Sequence, residues 1–574
     1  MYANNPITLE LIALLKKFGI RKIVVSPGSR HRPLVASLEQ DDFFELFTVV
    51  DERGAAFFAL GLIQECGEPV AITCSSGTAC MNYGSAIVEA FYQKLPLLVL
   101  SADRNPVFLN QGEDQMYDQA STFINCTKYH AQLPLINNET DRWYCNRLIN
   151  EGLISLTAHG RGPVHLNIPI NAHHGDSINV ETLPEARKIN YHTLSHSLDW
   201  HSFANMLYGK KIAVVWGQSV QQSETLSKSI DKFLEKTGGI ILTDKMSNSH
   251  NEYALTNTLL ALAAITPAET ASMMPDVVIS IGGNYIFNNE IKRFFKQGNI
   301  VNWQVSEDIE ICDPFWRLTD KFNMSETDFF ESLEEEVSPN HDTTYRDSWM
   351  QFENLPTPSM EKFDEIYPIG RLIQNLPDDC DLQLANSNTI RFAHYFHIKP
   401  SIRVNCNRGV NGIDGSMSTA IGFSATNNRL TYYITGELSF FYDMNALWIK
   451  YRSPYLRILL INNNGGAVMY DLHSRPADHK YPIYLAAGHD AIAKGWAESQ
   501  GFRYIEARTK EEVDAGVNIM TDTEAVGPII MEVFTDYDGD GTAASRYFAT
   551  LDRRTFADKV QGRLNRMAGK FFKK

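Results

Sequence analysis

Short apolar runs alternate with helix-period segments along most of this chain, and that alternation restricts its fold more than any other feature. Arg21–Ser26, Phe47–Val50, Pro69–Cys74, Leu95–Ser101 and Val164–Pro169 read as buried strands. Between them, Pro33–Glu39, Gly54–Gln64 and Ala79–Gln93 carry the spacing of packed helices. Strands alternating with helices build βαβ units, which cover both faces of a parallel sheet. A second block repeats the pattern with strands at Lys211–Trp216, Gly239–Leu242, Val277–Ile281 and Ile300–Val305, and a third with strands at Leu382–Ala385, Leu430–Thr435, Leu456–Ile461 and Ile529–Phe534. Two polar stretches lack this periodicity and read as solvated linkers: residues 175–200, and the acidic run from Glu326 to Asp347. The expectation is an α/β protein of three domains, 1–180, 195–340 and 365–574, each a mostly parallel sheet flanked by helices. A length of 574 residues suits that number at about 150 residues per domain.

The charge balance narrows the function. With 52 basic and 68 acidic side chains the formal net charge is −16, which opposes non-specific binding to nucleic acid or an anionic membrane. A phosphorylated ligand must therefore be held by a local device. No apolar run approaches the ~20 residues of a membrane span, and the N-terminus lacks a signal-peptide pattern, so a cytoplasmic protein is expected. The eight cysteines include no CxxC pair and read as reduced thiols. The basic end of the chain, RLNRMAGKFFKK, is expected to pack on a partner or fray.

Chemistry concentrates in the first and third blocks. Gly436-Glu437-Leu438-Ser439 follows one apolar run and Asn462-Asn463-Asn464-Gly465-Gly466 follows the next. Carboxyl ends of neighbouring parallel strands form a ligand crevice. A carboxylate, an amide oxygen and a backbone carbonyl there make a hard-oxygen site suited to Mg²⁺, and glycines admit phosphates close to the backbone. Two ordinary Gly/Asn turns are the plainer alternative. The order and spacing resemble the diphosphate-binding motif of thiamine-diphosphate (ThDP) enzymes, which also have three α/β domains. Those enzymes need a glutamate in the other catalytic domain, at a strand end, and Glu52 in Val49-Val50-Asp51-Glu52-Arg53 matches it. Taken alone, Glu52 reads better as an acid in the first turn of a helix, stabilised by the helix dipole, and the partner motif is what favours the catalytic role.

Further segments narrow the resemblance: Ser26-Pro27-Gly28-Ser29-Arg30, Ser76-Gly77-Thr78-Ala79, Ser101-Ala102-Asp103-Arg104, Asp114-Gln115, Asp118-Gln119, Asn386-Ser387 with Arg391, and Asn407-Arg408-Gly409 through Gly412-Ile413-Asp414-Gly415. Together they resemble the 2-succinyl-5-enolpyruvyl-6-hydroxy-3-cyclohexene-1-carboxylate (SEPHCHC) synthases of menaquinone biosynthesis, over nearly the whole chain but weakly in the middle block. The resemblance implies a carboligase that decarboxylates 2-oxoglutarate on ThDP and adds the succinyl unit to isochorismate. It makes 1–180 the pyrimidine-binding domain and 365–574 the diphosphate-binding domain. It implies Glu52 at the aminopyrimidine, Ile413 as the apolar wedge under the cofactor, and Ser76, Asn386, Ser387, Gly412, Gly436, Glu437 and Leu438 as further cofactor contacts. Glu437, Asn463 and the Gly465 carbonyl would hold Mg²⁺, with Mn²⁺ as the alternative ion. Arg391 and Arg408 would fork substrate carboxylates. Gln115, Ser29 and Arg30 would join Glu52 as catalytic residues at the mouth of the site, where Arg30, Arg104, Gln115, Ser387, Val468 and Met469 would also contact substrate. It further implies a homodimer or homotetramer whose subunits share the active site.

Departures from the family pattern are equally legible. Glu437 replaces an aspartate, lengthening the metal-binding acid by one methylene. Asn288 and Asn289 fall where the family has a basic pair, with Lys292-Arg293 nearby. His31-Arg32, Glu113-Asp114 and Ala467-Val468-Met469-Tyr470 alter segments expected to shape the pocket. These changes leave a second expectation open, a paralogous ThDP-dependent 2-oxoacid decarboxylase or carboligase with a different acceptor.

Overall fold

Three six-stranded sheets, each parallel throughout, carry the chain. The computed structural model describes residues 1–170, 178–191, 198–219, 223–340, 342–470 and 483–554. The first sheet runs, edge to edge, Glu45–Thr48, Lys22–Val25, Val70–Cys74, Leu97–Asp103, Val164–Pro169, Tyr129–Gln132. The third runs Arg403–Cys406, Asp381–Leu384, Thr431–Gly436, Leu456–Asn462, Ile529–Phe534, Arg503–Ala507. Numbered in chain order within each block, both read 2-1-3-4-6-5. The middle sheet is wound differently, as 3-2-1-4-5-6: Ala254–Leu255, Ile240–Thr243, Ile212–Trp216, Val277–Ile281, Val301–Val305, Leu318–Phe322.

Four interior strands, Val70–Cys74, Leu97–Asp103, Ile212–Trp216 and Leu456–Asn462, are buried at every residue. Their unbroken apolar runs follow from helices covering both faces. Five strands of these three sheets were not expected from the sequence: Tyr129–Gln132, Ala254–Leu255, Leu318–Phe322, Arg403–Cys406 and Arg503–Ala507. All five lie at sheet edges. An edge strand meets solvent along one side, so its composition stays mixed and its apolar signal weak.

Both expected linkers need correction. Within 175–200, Ile178–Val180 is a strand pairing antiparallel with Tyr2–Ala3. The acidic run holds the helix Glu326–Glu336, which buries Phe329, Phe330 and Leu333, and the helix Thr344–Met350, which buries Trp349. Ser325 caps the first helix by accepting the N–H of Asp328, with Glu326 and Asp328 in its first turn. Its acids are thus a capped, solvated face over a buried stripe. The expected helix Ala79–Gln93 is two, Thr78–Asn82 and Gly84–Gln93. The basic end of the chain, residues 563–574, lies outside the described residues. Among the described residues no helix is long and apolar enough to cross a membrane.

The first and third blocks meet where the helix Glu52–Cys66 crosses Ser416–Ser424. A β-carbon on Gly61 would lie 2.1 Å from the Thr419 carbonyl oxygen, and one on Gly422 would lie 2.1 Å from that of Phe58. Backbone therefore touches backbone, and only glycine fits either position. Beside the crossing, buried Asp443 accepts the N–H (2.7 Å) and hydroxyl (2.8 Å) of Ser418. Burial pushes its carboxyl up to about 7. An acid raised in the folded state favours folding fully below its unfolded value near 4, and that contribution is lost as pH rises towards 7. Asp443→Asn keeps both contacts, accepting the N–H and donating to the hydroxyl. Thermal melts of the two proteins should diverge between pH 4 and 7, with the variant gaining on the wild type by at most about 1.4 kcal/mol per pH unit. Parallel curves would show that Asp443 does not titrate in this window.

Candidate active site

Each sheet has a switch point, where neighbouring strands send their following loops to opposite faces and leave a crevice. In the first sheet it lies between Lys22–Val25 and Val70–Cys74, and the loops leaving these strands carry Ser29, Arg30 and Ser76. In the third it lies between Asp381–Leu384 and Thr431–Gly436, whose loops carry Asn386, Ser387, Gly436 and Glu437. The residues singled out in the sequence thus form two clusters.

In the first cluster, Gly77 has φ +84°, and a β-carbon there would stand 3.1 Å from that of Gln115. The close contact lays Gln115 against the Ser76 loop. Gln119 ties the loops beneath. Its Oε1 accepts the Gly77 N–H at 3.0 Å, while its Nε2 donates to the Ala102 carbonyl (3.0 Å) and to Asn167 Oδ1 (2.7 Å). Asn167 donates in turn to Asp103 Oδ2 and Gln132 Oε1 and accepts from the Ser101 hydroxyl. Asp103 accepts the Arg104 N–H, and Arg30 donates to the Ile170 carbonyl. One buried amide network therefore positions the Ser76, Arg104 and Gln115 segments. Glu52 opens its helix and accepts from Asn82 Nδ2 at 3.4 Å, while Ser29 is exposed. The buried Ser76 hydroxyl has no partner among the described residues.

In the second cluster, buried Asn386 donates to the carbonyls of Asn407 (2.6 Å) and Gly412 (2.8 Å), and its oxygen accepts from Arg408 Nη1 (3.1 Å). The Ile413 carbonyl accepts from the Ser439 hydroxyl at 3.1 Å. Ser387 has φ +78°, a strained conformation for a residue with a side chain and one that concentrates at functional sites. Glu437, 3% exposed, begins the helix Glu437–Tyr442, and its carboxylate accepts the Gly465 N–H at 3.1 Å. Burial pushes this acid up to about 8. Asn463 is likewise buried, and its Oδ1 has no partner among the described residues. A buried carboxylate beside an unpaired amide oxygen and a turn carbonyl is the oxygen-only donor set that a hard divalent cation takes. Leu438 is half-buried, Val468 and Met469 lie in the short turn Ala467–Met469 with Met469 exposed, and Arg391 is exposed on the helix Asn388–Ala393.

Among the described residues no hydrogen bond or ion pair joins Glu52, Ser76 or Gln115 to Ile413, Glu437 or Asn463. The middle block reaches the second cluster from its own switch point. Gln218 donates to the Cys406 carbonyl (2.6 Å), and Asn284 donates to those of Arg408 and Gly409 (2.8 and 3.1 Å). Neither residue was singled out in the sequence, since an amide in a loop carries no motif. The same holds for His489, whose buried, unpaired Nε2 lies 4.0 Å from Glu437 Oε1. Asn288 and Asn289 begin the helix Asn288–Phe295, and Asn289 is exposed.

Two expected pocket changes read differently here. His31 is 1% exposed and contacts the Thr73 hydroxyl at 3.1 Å, so it belongs to the core and does not shape a pocket. Glu113 is not a free acid, because it pairs with Arg104 Nη1 at 3.2 Å.

With this geometry in view, similarity to known proteins is informative. Residues 9–122 match the N-terminal TPP binding domain of thiamine pyrophosphate enzymes. The chain is 37% identical to the 2-succinyl-5-enolpyruvyl-6-hydroxy-3-cyclohexene-1-carboxylate synthase of Phocaeicola vulgatus, over 96% of this chain and 100% of that one. It is 37% identical to the Bacteroides fragilis enzyme of the same name and 30% identical to that of Flavobacterium psychrophilum, again over 96% of this chain and 100% of each relative. In fold it is similar to benzoylformate decarboxylase from Polynucleobacter necessarius, with a TM-score of 0.70 and 15% identity, covering 94% of this chain and 99% of that one.

Gln119→Met removes the polar end of Gln119 at nearly constant volume and leaves the Gly77 N–H, the Ala102 carbonyl and Asn167 Oδ1 short of a partner. At about 1–3 kcal/mol for each unsatisfied buried group, denaturant unfolding should show a loss of at least about 2 kcal/mol. A smaller loss would mean that water replaces the amide.

Proposed function

The chain belongs to the SEPHCHC synthase family, and we propose from that premise that it is a ThDP- and Mg²⁺-dependent carboligase joining a 2-oxoacid, 2-oxoglutarate, to isochorismate. The observation that carries the cofactor reading is the buried Glu437 carboxylate beside the unpaired Asn463 oxygen. Glu437, Asn463 and the Gly465 carbonyl hold the cation, with Mn²⁺ as the alternative ion. Asn386, Ser387, Gly436 and Leu438 line the diphosphate. The unpaired Ser76 hydroxyl and Glu52 serve the pyrimidine end, where Glu52 shares a proton with the ring nitrogen. Ile413, held through its carbonyl by Ser439, braces the bend between the two ends. Bound there, ThDP supplies the carbon nucleophile and stores the electron pair released on decarboxylation.

The remaining side chains handle charge. A protein of net charge −16 must gather anionic substrates locally. Arg391 and Arg408 fork carboxylates on one side, Arg30 and Arg104 on the other, with Ser29 and Gln115 at the mouth beside Val468 and Met469. Closed two-fold symmetry is the common case for soluble oligomers, and the working unit is a homodimer or homotetramer whose subunits share the site. The same reading places the enzyme in the cytoplasm. A second reading, the same donor half-reaction with another acceptor, draws support from Asn288 and Asn289 and from the Glu113–Arg104 pair.

Supplied with ThDP, Mg²⁺ and 2-oxoglutarate, the protein should release CO₂ and, with isochorismate added, form the adduct. Glu52→Gln should cut the rate by about a hundredfold or more, the scale of a lost general acid–base. Release of CO₂ without adduct would favour the second reading, and undiminished turnover by the variant would remove Glu52 from the chemistry. Glu113 occupies the guanidinium that an acceptor carboxylate needs. Glu113→Gln should therefore lower the acceptor KM by about two- to fivefold, the worth of a part-exposed ion pair. An unchanged KM would exclude Arg104 from acceptor binding.

A further inference from the structure

Asp540 lies in the helix Tyr537–Leu551, outside every motif discernible in the sequence, and is 1% exposed. Its Oδ1 accepts the N–H of Glu365 at 2.7 Å. Its Oδ2 accepts Asn463 Nδ2 at 2.8 Å and the Thr535 hydroxyl at 2.5 Å. Because the Asn463 amide nitrogen donates to Asp540 Oδ2, its oxygen faces the opposite way. That oxygen is the buried Oδ1 that lacks a partner among the described residues. The backbone N–H groups of Asn463 and Gly465 both donate to the Glu437 carboxylate, which fixes the Asn463 backbone beside that acid. With the backbone held on one side and the amide nitrogen on the other, one orientation of the side chain remains.

We propose that Asp540 is a positioning residue of the cation site, selecting which atom of Asn463 faces the ion. The proposal rests on the reading that Glu437, Asn463 and the Gly465 carbonyl hold a divalent cation. Three donors face the two oxygens of Asp540 and leave at most one lone pair free, so the proposed role is orientation rather than ligation. Partners of this kind orient ligands they do not replace, and their loss commonly costs ten- to a hundredfold in metal affinity.

The test uses Mn²⁺, whose free form gives an electron paramagnetic resonance signal, titrated into the full-length protein with saturating ThDP. In Asp540→Asn the new NH₂ must face either Asn463 or the Glu365 N–H. Facing Asn463, it turns that amide over and brings nitrogen to the ion; facing Glu365, it sets two donors against each other. Mn²⁺ affinity should fall ten- to a hundredfold. Thr535→Val removes a donor from the same carboxylate oxygen and leaves the Asn463 bond, so its affinity should stay within about threefold of wild type. The reciprocal exchange Asp540→Asn/Asn463→Asp restores a donor–acceptor pair with oxygen towards the ion. It should regain at least tenfold over Asp540→Asn, or lie within tenfold of wild type should the single variant not fold. Wild-type affinity in Asp540→Asn, equal losses in Asp540→Asn and Thr535→Val, or no recovery in the exchange would each overturn the proposal. A wild-type protein that binds no Mn²⁺ would instead overturn the cation reading, and the proposal with it.

Discussion

The crossing of Glu52–Cys66 over Ser416–Ser424 is the contact on which the architecture turns. Within an apolar core that the first and third blocks share, the two helices meet backbone to backbone, because Gly61 and Gly422 admit the carbonyls of Thr419 and Phe58. Close-packed interiors transmit such a contact rigidly. Glu52 opens one of these helices, and Gly412-Ile413 lead into the other. The orientation of both catalytic segments is therefore set by a feature without functional groups of its own.

Around this joint the polar machinery is divided by chemistry. In the first block the amides of Gln119 and Asn167, together with the buried carboxyl group of Asp103, form a network that places the Arg104 and Gln115 segments. The third block builds on acids, with Glu437, Asp540 and Glu365 buried near one another. Buried carboxylates are costly without compensation, and the cation proposed above would supply it. The switch-point loops of the middle block brace the Asn407–Gly415 segment through Gln218 and Asn284.

Interior strands and the glycine- and asparagine-rich turns at their ends were legible in the sequence because their physics is local. A doubly covered strand must be apolar, and a loop that approaches phosphate must be small. Of the six edge strands only Glu45–Thr48 was legible, read as Phe47–Val50; the other five carry the mixed or short runs that loops share. The helix Glu326–Glu336 was mistaken for a linker because its acids outnumber Phe329, Phe330 and Leu333, and composition conceals a three-residue stripe that periodicity would have revealed. His31 looked like a pocket residue by position and proved to be core. Asp540, His489 and Asn284 act through contacts distant in sequence, and no spacing rule reaches them. Glu113 was legible as an acid but not as the companion of Arg104.

The reciprocal glycine contact has an evolutionary corollary. Each of Gly61 and Gly422 abuts the backbone of the segment that carries the other, so neither can acquire a side chain while its counterpart stays in place. A lineage can vary its substrate loops freely, but the two helices must drift as a pair or not at all. The line of contact between the first and third blocks is thereby held to glycine on both sides.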